Sequence, residues 1–97
     1  MGVKFAREYE DIHQELAEAI AGIGEVYAFF EMTFLEWNGL AKEEQEECIR
    51  TLTDDVFYAL GSTSEVEIGL GVIRYDAARH LIKVSSQDGL TTIINLV

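Results

Sequence analysis

Ile23-Gly24-Glu25-Val26-Tyr27-Ala28-Phe29-Phe30-Glu31-Met32-Thr33-Phe34-Leu35-Glu36-Trp37 contains five of the chain's ten aromatic residues and is interrupted by only three charges. How this stretch is read decides the fold. Val, Tyr, Phe and Trp all favour sheets, so residues 26–37 could form a strand. Two observations favour helix. The apolar stripe that precedes the stretch runs into it without losing phase. Thr33 is followed three residues later by Glu36, the capping-box spacing, in which a hydroxyl and a carboxylate each satisfy an orphan N–H at a helix start.

Upstream, Phe5, Tyr9, Ile12, Leu16, Ala19, Ile20 and Ile23 recur at spacings of three and four. That lays one apolar stripe along a helix and leaves Glu8, Asp11, Glu15 and Glu18 on the other side. The count continues through Val26 or Tyr27 to Phe30, so a helix is expected over residues 4–31. Gly22 and Gly24 each cost about 1 kcal/mol against alanine in a helix interior. They predict either one weakened helix or two with a kink. The Thr33 cap predicts a short helix over 34–38, closed by Asn38-Gly39. Phe29, Phe34, Leu35 and Trp37 then exceed what the chain's own elements can cover, and they are the expected contact with a second copy or another partner.

Residues 41–60 form the next expected helix, with Cys48, Ile49, Leu52, Val56, Phe57 and Leu60 as its buried stripe. Glu43, Glu44, Glu46 and Glu47 crowd its first turns, where the helix dipole favours negative charge. Glu46 and Arg50 have the spacing of an i,i+4 ion pair. Asp54 and Asp55 extend the acidic surface along the same helix.

The last third changes period. Val66, Ile68, Leu70 and Val72 alternate, and the alternation then shifts to Ile73 and Tyr75. One strand over 65–75 with a bulge near Gly69 or Gly71 is expected. Asp76-Ala77-Ala78-Arg79 is a turn, 80–86 a second strand, Asp88-Gly89 a hairpin turn and 90–97 a third strand. The sequence therefore predicts a single α+β domain over 1–97, with helices at about 4–31, 34–38 and 41–60 packed on a three-stranded antiparallel meander.

The formal charge of the 97 residues is −11. Residues 1–60 carry 14 acidic and 4 basic side chains, and residues 61–97 carry 4 and 3. Nucleic acid and anionic membranes attract the opposite sign, so neither is an expected partner. No apolar run approaches the roughly 20 residues that span a bilayer, and no signal-peptide core opens the chain, which points to a cytoplasmic protein. A single cysteine excludes an internal disulfide.

No motif implies a cofactor. Glu10 and His13 have the Glu-x-x-His spacing of di-iron bundles, but those sites need a second copy and further carboxylates. Asp76 and His80 flank a turn, where a local hydrogen bond is the simpler reading. Cys48 lies on an apolar stripe among carboxylates that suppress its thiolate. Glu43–Glu47 lacks the alternating ligands and the glycine of a calcium loop. The expected function is therefore a non-enzymatic protein-binding module, an inhibitor, adaptor or nucleic-acid mimic. Its binding residues are Glu43, Glu44, Glu46, Glu47, Asp54 and Asp55, its partner presents a basic surface, and the module itself pairs as a homodimer. The alternative is a structural homodimer whose charge serves solubility alone, and a third reading, a metal-binding protein or enzyme, would have to draw on Glu10, His13, Asp76 or His80.

Overall fold

The computed structural model describes residues 2–97. Its first helix, α1 (Tyr9–Ala21), buries Ile12, Leu16 and Ile20 completely. These positions are four apart, so the apolar stripe is the reason for the helix. The helix starts five residues later than the stripe predicts. The Ala6 and Arg7 amides donate to the Leu96 carbonyl, and the Arg7 guanidinium donates to the Asn95 carbonyl at 2.9 Å. Those contacts hold the N-terminal segment across the end of the sheet, with Val3 buried beneath it.

The helix also ends early. Gly22 closes α1, and Glu25 takes a left-handed φ of 57°. Val26–Phe30 form a 3₁₀ turn, and Glu31 is again left-handed with φ 58°. The stretch expected to prolong one helix is therefore broken on both sides of a short turn, and no strand forms over 26–37. Phase survives the break, because Ile23 and Val26 are both buried.

The second helix, α2 (Phe34–Asn38), begins as the cap predicts. Glu36 N donates to Thr33 Oγ1 at 3.1 Å, and Thr33 N donates to Glu36 Oε1 at 3.0 Å. The third helix, α3 (Lys42–Ala59), buries Ile49, Leu52, Thr53 and Val56. Ala41 precedes it and has no side-chain acceptor, but its amide donates to Glu44 Oε1 at 3.1 Å. The Thr53 hydroxyl, fully buried, donates back to the Ile49 carbonyl at 2.7 Å, so its polarity is satisfied within the helix.

The sheet has four antiparallel strands rather than three: β1 (Glu65–Ile68), β2 (Gly71–Asp76), β3 (Leu81–Ser85) and β4 (Thr91–Asn95), in the order β1-β2-β3-β4. The phase shift read as a bulge is a two-residue turn that reverses the chain. Ile68 faces Gly71, and Gly69 takes φ 53° between them. Positive φ at the first central residue alone is the arrangement of a type II′ turn, which matches the twist of the paired strands. A Cβ on Gly69 would lie 2.5 Å from the Glu25 carbonyl oxygen and 2.6 Å from that of Gly24. The Leu70 amide donates to the Gly24 carbonyl at 2.9 Å. The turn is thereby clasped to the loop that follows α1, and only glycine fits there.

Side chains alternate across the sheet. Ile68, Ile73, Ile82, Val84 and Ile94 form the core side, and a single apolar cluster joins them to α1 and α3. Glu65, Arg74, Lys83 and Ile93 form one cross-strand row on the open side. The Arg74 guanidinium donates to Glu65 at 2.6 Å within that row.

Candidate interaction surface

At about 100° per residue, the acidic side chains of α3 do not share one face. Glu43, Glu47 and Asp54 form a row along the helix. Glu44 and Asp55 lie about a quarter-turn further round. Glu46 turns toward α1 with Arg50, and both line the groove between the two helices. All six carboxylates expected to bind are exposed, but they are not equivalent.

Two of the six have structural work to do. Glu44 caps the start of α3. Asp54 Oδ1 accepts from the Tyr9 hydroxyl at 2.9 Å and lies 3.0 Å from His13 Nε2, tying α3 to α1. Burial, followed by the hydrogen bond to Asp54, pushes the Tyr9 phenol up to about 12. The Tyr9 ring also packs edge-on against Phe57, which meets Phe5 in the same way. This link between helices was invisible in the sequence, although Tyr9 and Phe57 lay on apolar stripes and Asp54 in the acidic surface of α3.

Glu43, Glu46, Glu47 and Asp55 have no side-chain hydrogen bond or ion pair among the described residues. Ion pairs there are Arg7–Glu15, Arg74–Glu65 and Arg79–Asp76, beside the His13–Asp54 contact. The Glu46–Arg50 pair foreseen from spacing does not form. Such exposed pairs are worth only a few tenths of a kcal/mol, which side-chain entropy readily offsets. Tyr58, overlooked in the sequence, projects from the same arc between Asp54 and Asp55 with 85% of its surface exposed. An exposed aromatic following an otherwise polar helical face was the available signal.

The aromatic stretch divides in two. Phe34 is 58% and Leu35 79% exposed, and Phe29 is 47% exposed. Trp37 is instead half-buried, stacked on Phe30 with centroids 5.9 Å apart and planes 5° apart. Its carbonyl accepts from Gln45 Nε2 at 2.7 Å, which fixes α2 to the first turns of α3. Trp37 and Val26 close one end of the groove of about 590 Å³ between α1 and α3. Ala17 and Ala21 leave the space, and Lys42, Arg50, Glu18 and Glu46 line it with charges of both signs.

The other candidates are resolved locally. His13 pairs with Asp54 across the helix interface and not with Glu10, which is exposed. Asp76 Oδ1 accepts from the Arg79 amide at 3.0 Å inside its turn, while His80 is exposed with φ 56°. The local hydrogen bond is there, but its donor is Arg79. Cys48 is half-buried at the flank of the α3 stripe, not within the core. Among the described residues, no three His, Cys, Asp or Glu side chains converge on a metal site, and no helix is long and apolar enough to cross a membrane.

Comparison with protein-family models, curated proteins and solved structures finds no match to this chain.

Proposed function

We propose that the chain is a small protein-binding module, an inhibitor, adaptor or nucleic-acid mimic. In this reading α2 and the acidic arc of α3 together receive a partner with a basic surface. One observation carries it. Two well-exposed apolar side chains of the helical half, Phe34 and Leu35, stand on a helix bonded to the start of α3, where Glu43, Glu46 and Glu47 have no internal partner among the described residues. An apolar centre with a charged rim is how protein interfaces are built. Tyr58 adds a side chain of the type that dominates such contacts, and its ring face attracts Arg and Lys.

Affinity capture with three baits tests this: the unaltered chain, Glu43→Gln/Glu46→Gln/Glu47→Gln, and Phe34→Ser/Leu35→Ser. A common basic partner should be retained by the first and lost by both variants, with folding intact in each. A partner held equally by all three baits contradicts the reading.

A further inference from the structure

The two edges of the sheet are built differently. β1 carries Glu65 and Glu67 in a strand of four residues, and charge on an edge is a common guard against further pairing. β4 reads Thr91-Thr92-Ile93-Ile94-Asn95, with no charge, no proline and no bulge. In a chain of net charge −11, an uncharged edge is the one strand surface that two copies can bring together without opposing carboxylates.

The hydrogen-bonding parity of β4 is fixed at both ends. Leu96 N donates to the His80 carbonyl, and Ser86 N donates to the Leu90 carbonyl. Polar groups alternate in direction along an antiparallel strand, so the even-numbered residues of β4 face β3. Thr91, Ile93 and Asn95 therefore turn their N–H and C=O groups to the open edge. The Asn95 carbonyl meets the Arg7 guanidinium there, as this parity requires. Thr91 and Ile93 have no such cover. The Ile93 side chain, 52% exposed, stands on the open face beside Lys83.

We infer that β4 pairs with β4 of a second copy, antiparallel about a two-fold axis at Ile93, to form one continuous eight-stranded sheet. Ile93 then exchanges both hydrogen bonds with its symmetry mate, and Thr91 faces Asn95 of the other copy. The Asn95 carbonyl has a second lone pair for this beside the Arg7 contact. The guarded β1 edges lie at the two outer ends, so the assembly closes as a dimer and does not grow into a fibre. The exposed α2 patch is a poorer self-contact. The patch belongs to the helical half, whose 14 acidic and 4 basic side chains make two copies repel one another there. One short strand pair buries less than a standard interface, so a weak, concentration-dependent dimer is expected.

Sedimentation equilibrium and amide hydrogen exchange on the full chain, over a concentration series from low micromolar to submillimolar, test this. The chain should shift to dimer as concentration rises, with exchange at Thr91 and Ile93 slowing about tenfold in step. Ile93→Lys should stay monomeric with unchanged circular dichroism, and Phe34→Ser/Leu35→Ser should still dimerise. A chain that remains monomeric throughout overturns the inference. So does a dimer whose Thr91 and Ile93 amides exchange as fast as in the monomer. Should the Lys variant fail to fold, exchange in the unaltered chain decides alone.

Discussion

The helical half and the sheet half handle charge in opposite ways. In residues 61–97 the 4 acidic and 3 basic side chains nearly cancel, and the strand register sets Glu65 opposite Arg74 so that they bond directly. In residues 1–60, 14 acidic side chains face only 4 basic ones. Arg7 is committed to Glu15 and to Asn95, which leaves Lys42, Arg50 and Lys4 for the rest. A register-matched pair belongs to the fold. An excess of carboxylates with no internal partner does not, and it destabilises the compact state by self-repulsion. The difference separates charge that builds the molecule from charge that faces outward.

The largest effect should come where the two halves meet. Gly69→Ala forces a side chain into left-handed backbone and against the Gly24 and Glu25 carbonyls. We expect a loss of about 3 kcal/mol in denaturant melts, from strain and overpacking together. A loss under about 1 kcal/mol would mean that the turn and the loop after α1 are not clasped.

Asp54→Ala comes next and separates Asp54 from its acidic neighbours. Removing the acceptor of Tyr9 and the neighbour of His13 should cost about 1.5 kcal/mol, already reduced for the exposure of the carboxylate. The triple Gln variant on Glu43, Glu46 and Glu47 should instead leave stability within about 0.5 kcal/mol or raise it slightly. Equal losses in the two variants would erase the distinction between structural and outward charge.

A cap of ordinary strength predicts about 1 kcal/mol for Thr33→Ala, read as faster amide exchange confined to α2. The smallest effect is in the alkaline limb. The folded Tyr9 phenol titrates near 12, above its ordinary value of 10.0. Its stabilising contribution is therefore complete below pH 10 and is lost as pH rises toward 12. Tyr9→Phe should flatten the fall in stability over that window, as read by chemical denaturation at successive pH values.

What the sequence disclosed follows from how local each signal is. The Thr33–Glu36 cap, the α3 helix and the Asp88-Gly89 turn depend on residues within a few positions, and all three form, although Cys48 and Phe57 of the expected stripe are only half-buried. The start of α1 does not, because it is set by Leu96 at the other end of the chain. The extra strand was misread for a different reason. A shift in alternation marks either a bulge or a reversal, and Gly69-Leu70 lacks the Asn-Gly signature that would have distinguished them. The outward position of the α2 patch could be anticipated from surplus apolar area. The Tyr9–Asp54–His13 link could not, since it depends on how two helices cross.

The proposed binding role of the α3 carboxylates is tested most directly by how a captured partner's affinity varies with salt. Exposed charges separated by more than about 10 Å are screened at 0.1 M, so a binding surface made of them must weaken steeply as salt rises. For the unaltered chain we predict a strong fall in affinity with ionic strength, and for the triple Gln variant weaker binding with a much shallower fall. The same salt dependence in both proteins, or none in either, would contradict the assignment of this surface.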